Sequence, residues 1–265
     1  MDALPMFTAL VPLSLQRHAG RGWRRFTGYA FAAGTPLVPL VGAELAKALH
    51  AFPIAFQQQA KGFTPVAVLG LDPDRNLFVT EDGRWLGGYV PARLRGYPFV
   101  QAQSGDGRAV LCVDEDSGLL TDATAGEPVF ADDGTLSAPM QAIAGFLTEV
   151  ERSRLHTAAA TAKLAESGLI VPWSLEVALV GTRRRVTGLY TVDEAALNGL
   201  SDAAFVALRR DGALRLAYAQ LFSQAHISLL EQLADAHAKG DEQRRQRLAD
   251  SFVDDTPEDL SFHFG

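Results

Sequence analysis

Apolar and polar positions change their spacing about half way along the chain. Before residue 130 the apolar residues come in short runs broken by glycine, proline and aspartate, whereas beyond it they recur at helical intervals. Ala30-Phe31-Ala32-Ala33 and Leu37 to Val41 are punctuated by Gly34, Pro36 and Pro39, and they read as strand ends or extended loop. Glu44 to Ala51 predicts a helix stopped by Pro53. Pro53-Ile54-Ala55-Phe56 and Pro65 to Leu71 favour strand, the second apolar enough for a sheet covered on both faces, with Gln57 to Gly62 as the turn between them. Asn76 to Val79 follows the turn signal Asp72-Pro73-Asp74, Asp82-Gly83 offers another reversal, and Arg108 to Asp114 is the next strand. A small antiparallel sheet is the simplest arrangement of these runs.

Met140 to Ser167 carries Ile143, Phe146, Leu147, Val150, Leu155 and Leu164 among alanines and charges, an amphipathic helix closed by Gly168. Trp173 to Leu179 and Arg185 to Val192 flank a Gly181-Thr182 turn and predict a β-hairpin. Asp193-Glu194 opens a short helix ending near Gly199, Ser201-Asp202 caps a longer one through Arg210, and Ala213 to Ala238 forms another. Past Gly240 the chain turns charged and reads as a loosely attached tail, with Phe252, Phe262 and Phe264 available for docking. The expectation is an α+β fold with a mixed or mainly antiparallel sheet and a helix-rich C-terminal half. It divides into a strand-rich subdomain over 1–130, a helix-rich subdomain with a β-hairpin over 131–240, and the tail over 241–265.

Composition narrows the function classes. A chain of 265 residues with 48% hydrophobic and 21% charged residues has the make-up of a folded protein with a substantial core. Its net charge of −7 argues against a general nucleic-acid binder, which exploits a basic field. Met1 to Met6 lacks the basic start and apolar core of a secretory leader, and Ala30 to Val41 falls short of the roughly 20 apolar residues of a membrane span. A cytoplasmic location without a membrane span is therefore expected, with leaderless export to the cell surface as the alternative. Cys112 is the single cysteine, so no intramolecular disulfide or multi-cysteine zinc site is available, and its place between Leu111 and Val113 makes it a core thiol. The six histidines are scattered without metal-ligand spacing.

Candidate chemistry concentrates in Gly83 to Phe99 and in Asp114-Glu115-Asp116-Ser117-Gly118. Trp85, Tyr89 and Tyr97 can form an aromatic shelf or fill the core. Arg93 and Arg95 can clamp a carboxylate or phosphate, or pair with the acidic turn. Asp114, Glu115 and Asp116 can hold a cation or cationic ligand, or end a strand in a solvated turn. These eight residues are the candidate ligand-binding set, expected to border one concave pocket open to a small molecule, a peptide or a partner protein. Ser117 lacks a nucleophile elbow and an identifiable base, so no catalytic residue, metal ligand or cofactor is assigned.

The same landmarks resemble the SapC family of bacterial proteins. The resemblance is carried by Pro36 to Leu40, Pro53 to Phe56, Pro65 to Leu71, Asn76 to Val79, Gly83 to Phe99 and Leu111 to Leu120. It continues through Pro172 to Glu176, Gly188 to Tyr190 and Gly212 to Leu214, and spans about residues 8 to 238. The family takes its name from a surface-layer protein associated with serum resistance. Its genes often lie beside those of TonB-dependent receptors, tryptophan-halogenase-like flavoproteins and cupin-like proteins, which implies a role around nutrient uptake or modification. The leading expectation is a noncatalytic binding or accessory protein. The alternatives are a metal-dependent enzyme or enzyme subunit using the acidic cluster, and a structural protein of a surface layer.

Overall fold

The computed structural model describes residues 6–254 apart from 104, 106–107 and 180–181, with side chains through 247. In chain order the first half contains β1 (Leu10–Pro12), α1 (Leu15–His18), β2 (Arg21–Trp23), β3 (Leu37–Pro39), α2 (Leu45–Ala48), β4 (Ile54–Gln59) and β5 (Gly62–Val68). It continues with α3 (Ala92–Arg95), β6 (Phe99–Gln103), β7 (Ala109–Asp114), β8 (Leu120–Asp122) and β9 (Glu127–Pro128). The second half runs α4 (Ala138–Glu166), β10 (Ile170–Pro172), β11 (Leu175–Leu179), β12 (Thr182–Val186), β13 (Leu189–Val192), α5 (Glu194–Asn198), α6 (Asp202–Arg210), α7 (Ala213–Ser223) and α8 (Ile227–Asp254). The fold is α+β, and the paired strands are antiparallel throughout.

The central sheet has the order β10-β13-β4-β5-β3, so strands from both sides of residue 130 share one hydrogen-bonded layer. Ile54, Ala55, Phe56, Val66, Ala67 and Val68 are wholly buried, which is the burial on both faces that an uninterrupted apolar run implies. Helices α4 and α7 supply buried Leu164, Leu216 and Ala217 to the same core. Polar side chains fix the helix-to-sheet contact, and Ser223 of α7 accepts from the Ile54 amide at 2.9 Å. Gln220 of α7 accepts from the Val192 amide at 3.0 Å and donates to the Ile54 carbonyl at 3.2 Å, so a buried amide group satisfies strand atoms on β13 and β4 together. A second sheet, β1-β7-β6, and a third, β8-β2-β9, complete the first half.

Several elements differ from the sequence reading, each for a local reason. The segment expected as a turn at Gln57–Gly62 is mostly strand: β4 pairs with β5 up to Gln59 opposite Gly62, leaving Ala60-Lys61 as the reversal. The glutamines are polar because that end of the hairpin faces solvent. Asn76–Val79 makes no ladder beyond the single bridge of Val79 to Trp85. Asn76 instead donates to the Ala32 carbonyl and accepts from the Phe78 amide, a side-chain turn that replaces strand pairing. The run expected as one strand over 185–192 divides at Gly188, whose φ of 81° reverses the chain. Thus β12 pairs with β11 while β13 joins the central sheet, and Gly181 of the expected hairpin turn lies outside the described residues. A helix begins two residues earlier than Met140, capped by Ser137.

The helix expected over 213–238 is broken by a tight turn at Gln224–His226, and the region expected as a tail from 241 continues α8 to Asp254. Glutamate, glutamine, arginine and alanine there are strong helix formers. Arg75 reaches Asp241 at 2.7 Å, and His237 Nε2 lies 3.0 Å from the Leu77 carbonyl, tying α8 to the loop after β5. The Phe252 side chain, Phe262 and Phe264 lie outside the described residues. Close approach of backbone explains Gly70 in that loop, where a Cβ would sit 1.8 Å from the Arg75 carbonyl oxygen.

Candidate functional site

The short helix α2 and the turn before it form one wall of a cavity of about 520 Å3. The loop and helix around Tyr89, Ala92 and Arg95 form a second wall, the middle of α4 a third, and the junction of α6 with α7 the fourth. Leu45, Phe146, Val150, Ala160 and Leu216 line it with apolar surface, while Lys47, Arg95 and Arg215 bring positive charge.

Glu44 organises the meeting of the first two walls. Its carboxylate is buried, accepts from the Val41 amide at 2.9 Å, and accepts from the Ala92 amide at 2.7 Å and the Tyr89 hydroxyl at 3.0 Å. The reach back to Val41 follows the three-residue spacing by which glutamate satisfies a free amide at a helix start. Burial pushes this carboxyl up, and the two amides, the Tyr89 hydroxyl and the Arg95 charge hold it down in part. Tyr89 is correspondingly pushed up to about 12 by burial and by the negative charge of Glu44. Its hydroxyl oxygen also accepts from Arg95 Nη2 at 3.1 Å.

Arg95 is therefore held from below and flanked by rings. Its guanidinium carbon lies 5.5 Å from the Tyr89 ring centroid and 5.0 Å from that of Phe146. Among the described residues no carboxylate forms an ion pair with it. The third wall is docked by hydroxyls: Thr157 accepts from the Gly42 amide at 2.7 Å and Ser153 from the Ala43 amide at 3.0 Å. Arg215 Nη2 lies 3.4 Å from the Gly42 carbonyl.

The two stretches singled out in the sequence do not frame one open cavity. Tyr89 and Arg95 line it, and Trp85 sits behind them, donating its indole N–H to the Tyr89 carbonyl at 2.8 Å and stacking on Phe78. Arg93 points elsewhere, with its guanidinium 5.7 Å from the Phe7 ring, and burial pulls it below the usual arginine range. Tyr97 is 7% exposed, stacks on Phe31 at 4.1 Å and is hydrogen-bonded to Asp114 inside the core.

The acidic turn separates into three environments. Asp114 is fully buried and accepts from the Ala9 and Thr8 amides at 2.9 and 3.2 Å, so it anchors the N-terminal segment. Glu115 forms an ion pair with Arg17, approaches His18 Nε2 at 3.3 Å, and borders a smaller cavity of about 250 Å3 with Arg21 and Leu120. Asp116 is exposed. The carboxylates diverge because the strand ends at Asp114 and the following tight turn rotates each successive side chain. Among the described residues no three His, Cys, Asp or Glu side chains gather in a way that could hold a metal ion. Sequence reading missed Glu44, Lys47, Phe146 and Arg215. The spacing of Val41 to Glu44 is the signal that marks the first of these.

The SapC family model matches residues 13–230. The chain belongs to the SapC family. The matched span contains every residue lining the larger cavity, so the site is built from the SapC body itself. No curated protein and no solved structure matches this SapC chain. Among the described residues no helix is long and apolar enough to cross a membrane.

Proposed function

We propose that this protein is a noncatalytic binding or accessory protein that holds a small molecule with an apolar body and an anionic group. The observation that carries this reading is Arg95, held by Tyr89 and set beside two aromatic rings at a cavity of about 520 Å3 with no carboxylate ion-paired to it among the described residues. A guanidinium so placed offers directed donors to a carboxylate or phosphate while the rings supply contact area. The cavity is of the size that small-molecule sites occupy, and apolar side chains dominate its walls. The serine and threonine hydroxyls of the lining, Ser153 and Thr157, are engaged with backbone amides, which suits a supporting role.

A screen of purified full-length protein against small organic carboxylates and phosphates, read by calorimetric titration, tests the reading. Binding that is lost on Arg95→Ala and kept on Arg93→Ala supports the site. Unchanged affinity on Arg95→Ala places the ligand elsewhere.

A further inference from the structure

We infer that binding at this cavity is coupled to proton uptake: when an anion settles on Arg95, the buried carboxylate of Glu44 takes up a proton and shares it with the Tyr89 hydroxyl. This rests on the binding reading above and adds the regulation of that site by pH.

Glu44, Tyr89 and Arg95 form a chain of two hydrogen bonds, 3.0 and 3.1 Å long, which begins at a buried carboxylate and ends at the guanidinium beside the cavity. Burial pushes the carboxyl up, against the Ala92 and Val41 amides, the Tyr89 hydroxyl and the positive charge of Arg95. A bound anion offsets the field of Arg95, and its apolar body displaces water from a cavity that Glu44 itself lines. Both changes favour the neutral carboxyl.

The surrounding frame accommodates the added proton. Oε1 still accepts from Val41 and Oε2 from Ala92, while the new hydrogen on Oε2 is donated to the Tyr89 oxygen. That oxygen already accepts from Arg95, so the tyrosine's own hydrogen is released towards the bound anion as a further donor. The net reaction takes up one anion and one proton. Affinity is therefore highest at a pH below the range in which Glu44 titrates, and it falls as pH rises through that range. Other ionisable groups face the same space: Lys47 on α2, Glu149, Arg152 and His156 on α4, and Asp211 and Arg215 where α6 meets α7. Histidine is the side-chain type that changes charge near neutral pH, which makes His156 the competing proton acceptor.

The full-length protein is titrated calorimetrically with benzoate and with benzenesulfonate, in buffers of different ionisation enthalpy. Across about pH 5.5 to 7.5 both probes are ionised, and affinity is expected to fall about tenfold with uptake of up to about half a proton. Glu44→Gln, which imitates the neutral carboxyl, is expected to abolish the uptake and flatten the pH dependence, whereas His156→Gln keeps both. Should Glu44→Gln fold poorly, infrared difference spectra of the unaltered protein decide: benzenesulfonate is expected to bring up the carbonyl band of a neutral carboxylic acid. Binding that is lost on Arg95→Ala but carries no proton uptake overturns the coupling and leaves the binding site standing. Uptake that survives Glu44→Gln, uptake lost in His156→Gln, or a missing carbonyl band overturns it likewise. Failure of both probes to bind removes both readings.

Discussion

Asp114 and Asp116 are two residues apart and have opposite roles. Asp114 is sealed from solvent with backbone amides of Thr8, Ala9 and Asp116 donating to it and Tyr97 hydrogen-bonded to it, whereas Asp116 is exposed. Removing the buried acceptor strands those donors without water, so Asp114→Ala is expected to destabilise the fold by about 3 kcal/mol in urea unfolding. Asp116→Ala should leave the unfolding midpoint where it is. The sequence displays all the carboxylates of this turn as an acidic cluster at a strand end. Which of them points inward depends on Thr8 and Ala9, just before β1 and more than a hundred residues earlier in the chain, whose amides donate to Asp114, and no local pattern carries that information. Glu44 is hidden for a related reason. It opens a predicted helix, where a glutamate is ordinary, and only the arrival of Tyr89 and Ala92 turns it into the post between two cavity walls. Tyr89 and Arg95 were visible because aromatic and guanidinium groups crowd into a glycine-rich stretch.

Elements with strong local signals form where the sequence places them. The helix α4 has its serine cap and its closing glycine, and α5 and α6 begin at Asp193 and Ser201, whose side chains accept from Ala196 and Ala204 amides. Boundaries fail where tertiary contacts decide them, as at Asn76, whose side chain holds a turn, and at Gly188, which sends β13 to a different sheet from β12. Two glycines separate these influences experimentally. Gly70 lies against the Arg75 carbonyl and the Pro36 side chain, whereas a Cβ at Gly145 in α4 meets nothing within 4 Å. Gly70→Ala is expected to cost about 3 kcal/mol because a backbone atom must move. Gly145→Ala is expected to stabilise by about 1 kcal/mol, since alanine has the higher helix propensity. Thermal melts of both variants give shifts of opposite sign if this account holds. Equal shifts refute the packing argument at Gly70.

For the molecule as a whole, the decisive arrangement is the insertion of β13 between β10 and β4. The sequence suggested strand-rich and helix-rich subdomains on either side of residue 130, and composition does change there. The central sheet nevertheless draws on both regions, and Gln220 pins the later helix α7 to the earlier strand β4. Unfolding is therefore expected as one cooperative transition, with calorimetric and van't Hoff enthalpies in agreement. Two resolved transitions would show that the sheet contact between the regions is too weak to couple them. The cavity shares this dependence, because its walls come from 41–47, 89–95, 146–160 and 211–216, and it exists only when the regions are assembled.

The lone thiol of Cys112 gives the molecule an internal clock. It lies 7% exposed in the middle strand of the β1-β7-β6 sheet, opposite Pro12 on one side and Val100 on the other, and burial raises its pKa and so suppresses the reactive thiolate. Since the chain carries no second cysteine, a thiol-directed tag acquired in solution records the moments when that layer parts, without an engineered probe.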